Sequence, residues 1–168
     1  MGALGGLEGH TAQSVFTVVA RVRPERTDQV RDVLATIAAD PEANSALPLG
    51  SLGGLHYATL VLHDADPQRP LLVLEANVDG EVDALIDDLV ERASEGVDEL
   101  WGACVDYPAT PATRAQRRSF LRGRVVLPGA YHVGTTGRSR GTVLAEAELR
   151  EAIADFVDGH RRSGTLPA

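Results

Sequence analysis

Along the chain, apolar positions switch between a spacing of two and a spacing near 3.6, and the switches mark out the elements. Residues 14–23, "SVFTVVARVR", alternate so that Phe16, Val18, Ala20 and Val22 share one face, which predicts a strand. "RPERTDQVRDVLATIAAD" places Pro24 in a first turn and repeats Val30, Val33, Leu34 and Ile37 at helical spacing. "PEANSALPLGSLGG" breaks both periods with prolines and glycines and reads as a loop. "LHYATLVLHD" and "RPLLVLEANVD" follow, joined by the polar "ADPQ", and predict a β-hairpin. Asp79 and Gly80 are expected to cap a helix over 81–100, whose buried stripe is Val82, Leu85, Ile86, Leu89 and Ala93. "LWGACVDY" predicts a fourth short strand before Pro108.

That order is β-α-β-β-α-β, the split βαβ or ferredoxin-like arrangement, an α+β fold with helices on one face of an antiparallel sheet. A C-terminal helix-strand-helix extension is expected from about residue 109. It comprises a basic helix with Phe120 and Leu121, an extended "PGAYHVGTTG", and a helix over 138–160 whose Leu149, Ile153, Phe156 and Val157 face inward. Residues 1–13, rich in glycine, read as a flexible tail, leaving 14–168 as a single domain with its extension. The start lacks the basic and apolar blocks of a signal peptide, and no run of about 18 apolar residues occurs.

The chain has 168 residues, one cysteine and no lysine; all 16 basic residues are arginine. A lysine Schiff base, a pyridoxal phosphate anchor and a P-loop lysine are therefore excluded. Cys104 alone can form neither an internal disulfide nor a cysteine-rich metal site, so a cytoplasmic setting is expected. Aromatics at 4% and a net charge of -8 argue against nucleic acid as a partner. The charge is uneven. Residues 1–108 hold 6 arginines against 19 acids, while 109–168 hold 10 against 5. Between 109 and 140 stand seven arginines and no acid, which reads either as a segment docked on an acidic body or partner, or as a phosphate or carboxylate clamp.

The strand running into "VRPERTDQVRDVL", followed by a hairpin and an acidic helix, resembles the dimeric α+β barrel superfamily over residues 14–107. Its members include antibiotic-biosynthesis-type monooxygenases and, more distantly, chlorite dismutases and dye-decolourising peroxidases. The run "YHVGTTGRSRGTVLAEAELREAIADFVD" also resembles the end of an uncharacterised bacterial ferredoxin-like family. The resemblance implies a homodimer formed through one sheet face and a ligand pocket between sheet and helices. Superfamily members oxidise or isomerise small aromatic and polyketide-like molecules, some without a cofactor and others with haem. No catalytic motif of the superfamily is matched, so no residue role is carried over.

Candidate residues come from the pattern itself. His56 and His63 lie seven apart in one strand and point to opposite faces, so they cannot share a metal or a substrate. With Leu60 and Leu62 facing the helices, His56 and Ala58 share that inner side, where an imidazole can act as general base, bond a carbonyl or ligate haem iron. The competing reading has the ring cap a loop carbonyl. Glu75 lies on the sheet surface and either pairs, with Arg21 as the antiparallel candidate, or serves an interfacial site, an ion pair across the dimer being the favoured reading. Trp101 and Tyr107 share a strand parity that sets them beside His56, or simply pack the core. Tyr131, His132, Arg138, Ser139 and Arg140 sit in a glycine-rich bend opening a helix, which suits an anion or merely an N-cap. His132 joins His56 and Glu75 as a catalytic candidate. No zinc-type spacing and no G-x-S-x-G elbow occurs.

These features predict a small enzyme acting on a hydrophobic carbonyl compound, with or without an anionic end, through His56 and without an organic cofactor. Two alternatives remain: a haem protein with His56 or His132 as axial ligand, and a non-catalytic binding or accessory module using the basic 109–140 segment. A homodimer is expected in all three, because Val15, Val19, Val61, Leu71 and Val73 occupy a second sheet face that needs cover.

Overall fold

Alternation in the first segment produces β1 (Gln13–Arg21), and the helical spacing after a single 3-10 turn at Pro24–Arg26 produces α1 (Thr27–Ala39). The hairpin forms as β2 (Leu55–His63) and β3 (Leu71–Asp79). The computed structural model describes residues 11–132 and 137–162; most of the expected N-terminal tail lies outside the described residues. The chain divides into two compact units: residues 12–134 form one, and the C-terminal helix belongs to the other.

In the first unit the acidic stretch after the hairpin is two helices, α2 (Val82–Arg92) and α3 (Ser94–Trp101), where one continuous helix is expected. The break falls at Ala93, whose φ of -123° leaves the helical range. It lets α3 press against the loop before β2. A Cβ on Gly96 would lie 1.6 Å from the Ala46 carbonyl oxygen, so only glycine permits this approach. Glu81 stands at the N-cap of α2, and neither Asp79 nor Gly80 caps it.

The expected fourth strand over 100–107 is not a strand. Leu100 and Trp101 finish α3, and one isolated bridge, Val22 to Cys104, ties the following turn to the end of β1. A short apolar run without clear periodicity fits a buried helix end as well as a strand, and packing of Val97, Leu100 and Trp101 decided for the helix. The chain then forms α4 (Arg114–Arg122), entered through a Thr113–Gln116 capping box, and a two-residue strand β4 (Val125–Val126). β4 pairs antiparallel with the middle of β1, giving a four-stranded antiparallel sheet in the order β2-β3-β1-β4.

One sheet face carries Phe16, Val18, Ala20, Leu72, Leu74, Ala76 and Val78, all buried against Val30, Val33, Ile37, Leu85, Ile86, Leu89 and Trp101 of the helices. The other face carries Thr17, Val19, Val61, Val73 and Glu75, none of them buried. The second unit contains α5 (Arg140–Arg162). Leu149, Ile153 and Phe156, expected to face inward, are exposed, and no described side chain of α5 is buried. Among the described residues no helix is long and apolar enough to cross a membrane.

Candidate functional site

The pairing of β2 with β3 slips at its start. Leu55 stands opposite Val78 and Tyr57 opposite Asn77, so His56 is an extra residue in a β-bulge. Leu55 is buried beside Val78, whereas Tyr57 is exposed on the outer face. Ala58, Leu60 and Leu62 pack on the core as alternation requires, but the bulge takes His56 out of step with them. The expected position beneath the helices is thereby corrected, because that expectation assumed unbroken alternation. Nε2 of His56 instead lies 2.6 Å from Asp79 Oδ1 at the end of β3, and 3.5 Å from Nε2 of Gln13. The two side chains of the His56–Asp79 pair are only 19% and 17% exposed.

The backbone around the pair is fixed on three sides. Asp79 N–H donates to the Gly54 carbonyl at 2.8 Å, and Gln13 stands opposite Asp79 in the β1–β3 register. Gly54 has a φ of +72°, and a Cβ there would meet Asp79 Cβ at 3.2 Å. The "GG" before the strand therefore supplies a left-handed entry that brings His56 down onto Asp79. Neighbouring Gly80 N–H donates to the Ala12 carbonyl at 2.7 Å, and Ser14 Oγ donates to the Gly80 carbonyl at 2.6 Å.

A groove of about 370 Å³ opens beside this corner. Val15, Val82, Leu127 and Pro128 supply its apolar walls, and Gln13, Ser14, Glu81, Asp83, Arg122 and Tyr131 its polar ones. Tyr131 Oη donates to the Gln13 carbonyl at 2.9 Å. Gln13 thus belongs both to the groove and to the surroundings of His56, although the imidazole itself does not line the groove.

The remaining candidates separate. Glu75 is exposed and lies opposite Thr17 and Thr59, while Arg21 lies opposite Leu71, so the two are not register partners within the chain. Trp101 is fully buried in α3, and its Nε1 finds no hydrogen-bond partner among the described residues. Tyr107 sits in the helical layer, edge-on to Phe120 at 4.7 Å, with its hydroxyl donating to Asp98 Oδ1 at 2.5 Å. The strand parity meant to set these two beside His56 does not exist. His132 is exposed. Arg138 pairs with Glu146, and Ser139 Oγ accepts from the Thr142 N–H at 3.0 Å, the geometry of an N-cap for α5. Residues 133–136 of the glycine-rich bend lie outside the described residues.

The basic segment turns inward. Arg114, Arg118 and Arg122, spaced by one helical turn each on α4, meet Asp83, Asp87 and Glu91, spaced likewise on α2, in a ladder of ion pairs. Arg117 is buried and holds Asp98 with both ends, Nε to Oδ1 at 2.9 Å and Nη2 to Oδ2 at 2.5 Å. Burial alone would raise the Asp98 carboxyl, but bonds from Arg117, Tyr107 and the Ala112 N–H outweigh it and hold the group below the usual carboxylate range. Burial, reinforced by Asp98, pushes the Tyr107 hydroxyl up. Arg124 lies over the Phe120 ring at 3.6 Å. Of the seven arginines in 109–140, these five serve the fold, which removes the basis for an anion clamp built on α4.

Of the two histidines expected as axial haem ligands, His56 turns Nε2 to Asp79 and His132 is exposed. Among the described residues no group of three or more histidine, cysteine and acidic side chains could hold a metal ion.

Asp79 and Gln13 are the site residues that sequence patterning misses. The readable signal is Gly53-Gly54 at the entrance of the strand, one residue before its first histidine, since glycine at a strand often marks a bulge. No protein-family model, no curated protein and no solved structure matches the chain.

Proposed function

We propose that this chain is a small-molecule enzyme of ferredoxin-like α+β type, in which His56, oriented by Asp79, transfers protons on a hydrophobic carbonyl compound. The observation that carries the reading is the largely shielded 2.6 Å contact between His56 and Asp79 near a groove of mixed polar and apolar lining, to which Gln13 belongs. With the proton of a neutral ring on Nε2 and donated to Asp79, Nδ1 keeps its lone pair and is the base. The carboxylate fixes the tautomer and stabilises the imidazolium that forms, as the acid partner of a catalytic histidine does. The ring takes a proton from the carbon next to a carbonyl and returns it at a second position, so isomerisation or ring closure needs no external electron acceptor. The walls from Val15, Val82, Leu127 and Pro128 fit a flat apolar body.

The ferredoxin-like part of the reading is supported by the sheet order β2-β3-β1-β4, antiparallel throughout, which a split βαβ takes when the last strand returns beside the first. Here that return passes through two further helices, so β4 is Val125–Val126.

The test is a panel of aromatic and polyketide-like ketones, with and without a carboxylate end. At least one should be turned over, and His56→Ala should lower that turnover by about a hundredfold or more while remaining folded. No turnover across the panel, or equal turnover by the folded variant, would contradict the assignment.

A further inference from the structure

Successive residues of an antiparallel strand send their N–H and C=O groups to opposite neighbours. Val22 N–H donates to the Pro70 carbonyl at 2.9 Å and Gly80 N–H to the Ala12 carbonyl at 2.7 Å, so the even-numbered residues of β1 bond toward β3. The odd-numbered residues face the other edge. There the Arg21 carbonyl accepts from Val105 N–H at 2.7 Å, Val19 N–H donates to the Arg124 carbonyl at 3.2 Å, and Thr17 stands opposite Val126 of β4. The Gln13 carbonyl accepts from Tyr131 Oη. Between Thr17 and Gln13, the N–H and C=O of Val15 meet no hydrogen-bond partner among the described residues.

The gap has its cause in the sequence. The register pairs Thr17 with Val126, and its continuation would set Val15 opposite Pro128. Proline has no N–H to give the Val15 carbonyl, and β4 ends at Val126. The groove of about 370 Å³ lies at this gap, since Val15, Leu127 and Pro128 all line it. An open strand edge beside a groove is a template for one more extended chain. Val82 and Leu127 offer apolar contacts to its alternate side chains. Charge narrows the choice of occupant. Arg122, the groove's cation, is joined to Asp83 at 2.7 Å, whereas Glu81 forms no ion pair among the described residues. The groove is left with one uncompensated carboxylate, which suits a cationic side chain.

We propose that this groove binds an extended peptide segment of a partner protein, paired through its backbone with Val15 and presenting a basic side chain to Glu81. The segment takes the place beside β1 that β4 gives up before Pro128. The inference goes beyond the proposed enzyme and does not rest on it: pairing at Val15 needs no chemistry at His56, although peptide and carbonyl compound would exclude each other from the same walls.

Proton–nitrogen NMR of the full chain tests it, with a blocked peptide in which valine and threonine alternate on either side of a central arginine. In the free protein the Val15 amide should exchange readily with solvent. On titration its signal should move and its exchange should slow by about tenfold or more. N-methylating alternate amides of the peptide should raise the dissociation constant about tenfold or more in one parity and far less in the other, because only one set faces β1. Glu81→Arg should weaken the arginine peptide by about tenfold and shift preference to a glutamate-centred one. Glu81 makes no side-chain cap bond at the start of α2, and circular dichroism confirms that the variant folds. A Val15 amide already protected in the free protein would mean that the chain itself covers this edge, and would overturn the proposal. So would an unmoved Val15 signal at high peptide concentration, equal weakening by both methylation patterns, or indifference to Glu81→Arg. None of these readouts involves turnover, so a failed ketone panel leaves the test standing.

Discussion

One inserted residue, His56, decides what its imidazole can do. Unbroken alternation would have sent the ring toward Ala58 and the core; the bulge between Leu55 and Tyr57 sends it to Asp79. Sequence patterning reads a strand's faces only while the period of two holds, so a bulge takes its extra residue out of step with the rest of the strand. The two histidines of the strand remain unable to converge, and His63 ends β2 in an exposed position. Cys104 shows the opposite case, a residue whose environment follows from its surroundings in sequence. It is 1% exposed, and burial pushes its thiol up to about 12 despite the opposing charges of Arg124 and Arg23. The native protein at pH 8 should therefore react with an aromatic disulfide reagent at least roughly a hundredfold more slowly than the denatured chain. Comparable rates, followed by absorbance, would contradict that burial.

Element by element, legibility tracks the strength of the period. β1, α1 and the β2–β3 hairpin carry long clean repeats and form close to where the pattern places them. Residues 100–107 carry no period, and the expected strand gives way to the end of α3 and a single bridge at Cys104. Asp98 on α3 and Arg117 on α4 lie 19 apart with no local signal that they meet, since only the packing of two helices joins them. Their side chains are about one-tenth exposed, so Asp98→Ala, which strands a buried guanidinium, should cost about 3 kcal/mol in denaturant unfolding. A loss within experimental error would show that the α3–α4 contact does not hold the helical layer. The same pair sets an acid limit. A carboxyl held below its usual value stabilises the fold above that value, and this contribution is lost as pH falls through the lowered one. The stability difference between wild type and Asp98→Asn should accordingly shrink as pH drops below about 4, and parallel curves would contradict it.

On the scale of the whole molecule, the charge asymmetry visible in composition finds its explanation in α4 lying along α2. Arg114, Arg118 and Arg122 answer the acids of the preceding helix, so much of the basic segment is neutralised within the first unit. Composition showed the imbalance; only the helix register shows that it closes on itself. The site is likewise assembled from distant pieces, with Gln13, His56 and Asp79 drawn from three strands at one end of the sheet. The central claim is that Asp79 holds His56 in one tautomer with Nδ1 left as a base. Long-range proton–nitrogen NMR of the His56 ring tests this most directly. A ring protonated on Nε2, losing that preference in Asp79→Asn, is the predicted result. A ring protonated on Nδ1, or one indifferent to the loss of the carboxylate, would contradict the account.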